Sequence, residues 1–162
     1  VFNQWDSKWG SIPLGSSSST IGSAGCAVTS LAMGISCYAK NITISNFNPG
    51  TFVQKLNAGN CFTSSGEINW SCSAINEVAP SIKLHAAIVY VGNLNNSEKV
   101  KKVQSYDPNK YFVLLHVTHH YILYESVNSD GNFVTLDPNG GIKDKVYTPT
   151  TVADLDVYEY NW

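Results

Sequence analysis

Tyr111-Phe112-Val113-Leu114-Leu115-His116-Val117-Thr118-His119-His120-Tyr121-Ile122-Leu123-Tyr124 is the stretch on which the fold turns. Tyr111–Val117 and Tyr121–Val127 are rich in aromatic and β-branched residues, which suit a pleated, half-buried surface, so both are predicted strands. Asn128-Ser129-Asp130-Gly131 is a hairpin turn leading into Phe133–Leu136, and Asp137-Pro138-Asn139-Gly140-Gly141 is a second turn. Upstream, the texture is helical. Val28, Leu31, Ala32 and Ile35 recur at i, i+3, i+4, i+7, which predicts a helix over 26–38 with one buried face. Asn48 as N-cap and Pro49 at the first helical position open a second helix, which presents Phe52, Val53 and Leu56 and stops near Gly59.

A third helix is predicted over 70–79, stopped by Pro80, then a strand over 82–91 and a short helix capped by Ser97 and carrying Val100 and Val103. Residues 1–25, broken by Gly10, Pro13, Gly15 and the serines 16–19, read as an irregular arm. Helices first and an antiparallel sheet second is an α+β layout, with the N-terminal helices packed on the sheet. No repeat or long linker divides the 162 residues, so residues 1–162 are expected to form a single domain.

Composition narrows the function classes. Net charge is -2 and all ten basic residues are lysines with no basic patch, so a nucleic-acid partner is not expected. No apolar run approaches the ~20 residues that cross a bilayer. The chain opens on Val1, as expected of a processed form or of one domain of a longer protein. A neutral surface rich in serine and asparagine, with acceptor patterns at Asn41, Asn69 and Asn95, fits a secreted or cell-surface protein. There is no Gly-x-Ser-x-Gly elbow and no phosphate-binding loop, which leaves serine hydrolases and nucleotide-binding proteins without a foothold.

Four cysteines, Cys26, Cys37, Cys61 and Cys72, allow three complete pairings. If Cys26 is free, at most one bridge forms among the others, and Cys61 with Cys72 would clip a loop. Cys26 falls where the glycine-broken stretch ends and the first long helix begins. Unpaired N–H groups and the positive end of the dipole at a helix start favour a thiolate, the nucleophilic form of cysteine.

A cysteine nucleophile needs a base, a group that orients the base, and donors for the developing oxyanion. The candidates for the base are His85, His116, His119 and His120. On one continuous strand His116 and His120 share a face and His119 takes the other. His120 leads directly into the apolar Tyr121-Ile122-Leu123, and Asp137 ends the returning strand. A hairpin brings these side by side, so Asp137 is expected to accept the Nδ1–H of His120. On such a strand His116 and His120 stand ~13 Å apart, beyond the reach of two ~2.1 Å bonds, so no metal is expected. His85 and His119 read as core histidines.

These residues resemble the papain-like cysteine peptidases related to the double-glycine-leader (bacteriocin-processing) peptidases. The likeness runs in order along nearly the whole chain: Gln4-Trp5-Asp6 with Trp9, Gly25-Cys26 followed by Thr29 and Leu31-Ala32-Met33, then Gly66 with Ile68 and Trp70. The strand at 111–117, His120-Tyr121-Ile122, Asp130-Gly131 and Asp137-Pro138 complete it. The chain departs from that pattern at Ala27 and Val28, where the family usually carries small or rigid residues such as glycine and proline. Gln4 also lies farther ahead of the cysteine than in papain itself.

The resemblance implies a papain-like fold and hydrolysis of peptide bonds without a cofactor. It implies Cys26 as nucleophile, His120 as base, Asp137 as orienting residue and Gln4 as side-chain oxyanion donor, with the Cys26 N–H as second donor. The expected partner is a peptide or protein substrate, cell-wall stem peptides included, met by a monomeric domain. Two other readings compete: acyl transfer by the same residues, and a non-catalytic module binding peptides or glycans through exposed Trp5, Trp9 and Trp70.

Overall fold

In the computed structural model, which describes residues 1–161, the starts of three helices are fixed by reciprocal capping boxes. Thr20 and Ser23 form a reciprocal capping box that opens the one-turn helix α1 (Ile21–Ala24). Gly25 follows, and a Cβ there would lie 2.4 Å from the carbonyl oxygen of Ile21, so only glycine lets the chain fold back this tightly. Helix α2 (Cys26–Tyr38) then begins at the thiol itself, and no side chain caps its first turn. Asn48 and Thr51 cap α3 (Pro49–Ala58), and Gly59 ends it. Helix α4 (Ser73–Val78) is shorter than predicted, because residues 69–72 are taken up by a turn and by the Cys61–Cys72 disulfide. The cap of α5 (Asn96–Gln104) is Asn95 rather than Ser97: its side chain takes the Glu98 N–H while Glu98 returns a bond to the Asn95 N–H.

Six strands form one antiparallel sheet: β1 (Lys83–Tyr90), β2 (Tyr111–Val117), β3 (His120–Val127), β4 (Phe133–Asp137), β5 (Ile142–Tyr147) and β6 (Asp154–Glu159). Their order is β1-β6-β2-β3-β4-β5, so β2 to β5 form a meander and the last strand slots between β1 and β2. The fold class is α+β.

Alternation along β2 divides the core between two faces. Phe112 and Leu114 share a core with Leu31, Met33 and Ile35 of α2, Phe52 and Leu56 of α3, and Ile75 and Val78 of α4. Val113, Leu115 and Val117 face the other way, against Val103 of α5 and Ile122, Phe133, Leu155 and Val157 of the sheet. Each such side chain removed from water contributes about 1.5–3 kcal/mol. Ser30 of α2 donates to the Tyr121 carbonyl at 3.0 Å, which locks the helix that starts at Cys26 onto the strand that starts at His120.

Candidate functional site

A hairpin turn at Thr118-His119 separates His116 from His120, with His119 in the left-handed region at φ 55°. The two strands expected from the sequence are there, but 116–120 is not one continuous strand, so the shared face and the ~13 Å spacing drawn from treating it as one do not apply. His116 stands opposite Tyr121 and Val117 opposite His120, so His116 and His120 lie on opposite faces rather than one. His119 is exposed in the turn, and His85 is exposed on β1 against the rings of Tyr106 and Tyr111, so neither is a core histidine. Among the described residues, no group of three His, Cys, Asp or Glu stands close enough together to hold a metal ion.

His120, at the first position of β3, meets Asp137, at the last position of β4, with Nε2 2.6 Å from the carboxylate Oδ1. The sequence expectation of an Nδ1 contact is corrected here: Asp137 takes Nε2, and Nδ1 is the nitrogen left for a second partner. Cys26 is the other side chain close enough to act on the imidazole. Burial drives the His120 pKa down, but the bonds to Asp137 and Cys26 outweigh it and raise the imidazole to about 9. Asp137 is 3% exposed and is held below the usual carboxylate range. Burial works against its charge, while His120, the Tyr147 hydroxyl on Oδ2 at 2.5 Å and the Asn139 N–H on Oδ1 at 2.9 Å favour it. The carboxylate is thereby fixed at both oxygens.

Gln4 is 5% exposed and joins the two halves of this arrangement. Its N–H donates to the Pro138 carbonyl, in the turn behind Asp137, and its Nε2 donates to the Gly22 carbonyl, four residues before Cys26. Asn3 and Trp5 add bonds to Gly140 and Asn139. The N-terminal arm is thus a strap between the turn after β4 and the helix before the thiol. Trp5 is exposed, but Trp9 and Trp70 are each only 8% exposed, which corrects the expectation of three exposed tryptophans.

Cys26 is half-buried and opens onto a cleft of about 440 Å³ walled by α2, the 62–70 loop, β1 and the β2–β3 end of the sheet. The disulfide between Cys61 and Cys72 closes that loop at its base, leaving Cys26 and the exposed Cys37 free. On the cleft wall lies a second histidine–carboxylate pair, which the sequence reading did not assign. His116 Nδ1 is 2.9 Å from Asp154 Oδ2, and its ring stacks on Tyr121 with centroids 4.2 Å apart. A signal was available: Asp154-Leu155-Asp156-Val157 alternates with the period of a strand.

No family model matches the chain, and no curated protein or solved structure matches it. No helix among the described residues is long and apolar enough to cross a membrane.

Proposed function

We propose that this chain is a papain-like cysteine peptidase, hydrolysing peptide bonds through Cys26, His120 and Asp137. One observation carries the reading: a half-buried histidine held by a carboxylate on one nitrogen has its proton affinity raised by a thiol at a helix start that lines a cleft. His120 Nδ1 takes the Cys26 proton, and the thiolate adds to the carbonyl carbon with formation of a C–S bond. The Cys26 N–H and the second hydrogen of Gln4 Nε2 receive the oxyanion. Imidazolium returns its proton to the nitrogen as the C–N bond breaks, releasing the amine. His120 then takes a proton from water, whose oxygen attacks the thioester; the C–S bond breaks and the thiol is restored. Asp137 keeps the ring in one orientation throughout.

The substrate in this reading is a peptide or protein, cell-wall stem peptides included. A disulfide beside the cleft supports a secreted or cell-surface location, where such bonds persist. The burial of Trp9 and Trp70 weighs against a stacking module.

The test is the pH dependence of iodoacetamide alkylation, read by peptide mapping. Cys26 is expected to react rapidly at pH 6 and to lose that reactivity in His120→Ala. Cys37, whose thiol pKa is raised by partial desolvation of its sulfur and by the nearby Glu125 charge although the residue is exposed, is the internal slow control. Turnover of a peptide library is expected to vanish in Cys26→Ala. Equal turnover by Cys26→Ala and wild type, or a Cys26 no faster than Cys37 at pH 6, defeats the proposal. An added amine that diverts product from acid to amide would identify acyl transfer instead.

A further inference from the structure

The second histidine–carboxylate pair contains more negative charge than the protein around it satisfies. Asp154 is 9% exposed and Asp156 is fully buried, two residues apart on β6, beside His116. Asp154 gives Oδ2 to His116, while Asp156 Oδ1 accepts the Ile88 N–H at 2.8 Å. Asp154 Oδ1 and Asp156 Oδ2 are buried and have no hydrogen-bond partner in the protein. Such oxygens are costly unless a cation or donor meets them. Burial, reinforced by the neighbouring Asp154 charge, lifts Asp156 to about 6, consistent with a surplus of carboxylate.

The lining of the cleft indicates the chemistry that complements these carboxylates. His116 and Asp154 line it, and with Nδ1 on Asp154 the imidazole has Nε2 left for another partner. Glu67 lines the cleft too, and no lysine does among the described residues. Between the acids and Cys26 the walls are apolar: Val28, Phe62, Ile68, Trp70 and Ile88. Ile88 is held at φ 53°, a conformation a β-branched residue avoids, and this places its N–H on Asp156 while its side chain stands 65% exposed at the cleft.

We infer that His116 and Asp154, with the buried Asp156 behind them, form a subsite for an ammonium-bearing aliphatic side chain of the lysine type. The alkyl stem lies along the apolar walls and the ammonium meets His116 and the Asp154 carboxylate. This rests on the cleft being the substrate site of the hydrolase proposed above.

The test is protection of Cys26 from iodoacetamide at pH 8.5, where an ordinary thiol also reacts, by Nα-acetyl-lysine methylamide and by its uncharged counterpart Nα-acetyl-norleucine methylamide. The lysine amide is expected to protect at a concentration roughly tenfold lower, the scale of one charge-assisted hydrogen bond. Asp154→Asn and Asp156→Asn are each expected to narrow that difference. Equal protection by the two amides in wild type, or none by either, overturns the subsite whether or not the variants fold. Protection that persists although His120→Ala leaves the pH 6 reactivity of Cys26 unchanged would remove the peptidase reading and keep the subsite.

Discussion

Asp137→Asn keeps the shape of the residue that holds His120 and removes its charge. His120 titrates near 9 in place of the ordinary 6.5, and each tenfold gain in proton affinity is worth about 1.4 kcal/mol. Holding the proton therefore stabilises the folded state by roughly 3 kcal/mol in all. The side chain is only 18% exposed, so little of this is screened. Asp137 and Cys26 share it, and the Asn variant is expected to lose about 2 kcal/mol at pH 6.

The sign fixes the window. A raised histidine contributes fully below its unfolded value of about 6.5 and nothing once pH has passed the folded value near 9. The lowered Asp137 contributes above the ordinary carboxylate range and is lost as pH falls through its own pKa. The penalty of the variant should thus be greatest between about pH 4 and 6.5 and fade towards pH 10. Urea unfolding of both proteins at pH 5.5, 7.5 and 9.5 measures it. A penalty that is absent at pH 5.5, or unchanged at pH 9.5, refutes the reasoning.

The same titration predicts that wild-type peptide turnover falls above about pH 9, as the imidazolium that protonates the leaving amine is lost, while Cys26 alkylation stays fast. Gln4→Ala should lower kcat by about 100-fold through the lost oxyanion donor, with Cys26 alkylation at pH 6 within a few-fold of wild type. Gly34→Ala would set a Cβ 2.4 Å from the Phe112 ring inside the core, and denaturant midpoints should report a loss of about 1–3 kcal/mol. Replacing both Cys61 and Cys72 with serine opens a short loop, their sequence separation being 11. Thermal unfolding should then show a loss of about 3 kcal/mol, by the chain-entropy relation.

The helices were legible where local chemistry alone decides them. Helix α2 carries its heptad-like apolar spacing, and α3 carries its asparagine cap, its proline and its closing glycine. So was the hairpin that brings His120 to Asp137. What the sequence hid depends on distant partners. Strand β5, Ile142-Lys143-Asp144-Lys145-Val146-Tyr147, is an edge strand exposed along almost its whole length, and its lysines and aspartate look like loop. Strand β6 places two aspartates and a glutamate inside the sheet, between β1 and β2, all buried. Their acceptance rests on His116, on the Ile88 N–H, and on Lys83 and Lys110 beside Glu159. None of these is near in sequence. The ring nitrogen that faces Asp137 was also beyond reach, because it follows from how two strand ends meet rather than from residue types.

The place of β6 between β1 and β2 orders events as the chain folds. The meander of β2 to β5 closes through short turns, but β1 has no sheet neighbour until residues 154–159 arrive, some 64 positions after β1 ends. Loop closure over such a span comes late and slows folding. Until then β2 presents a bare edge and the buried aspartates have no imidazole or amide to meet. The wall of the cleft that β6 builds is therefore the last to form. A chain still lacking that strand would hold Cys26, His120 and Asp137 in elements already made, yet would have no finished groove in which to seat a substrate.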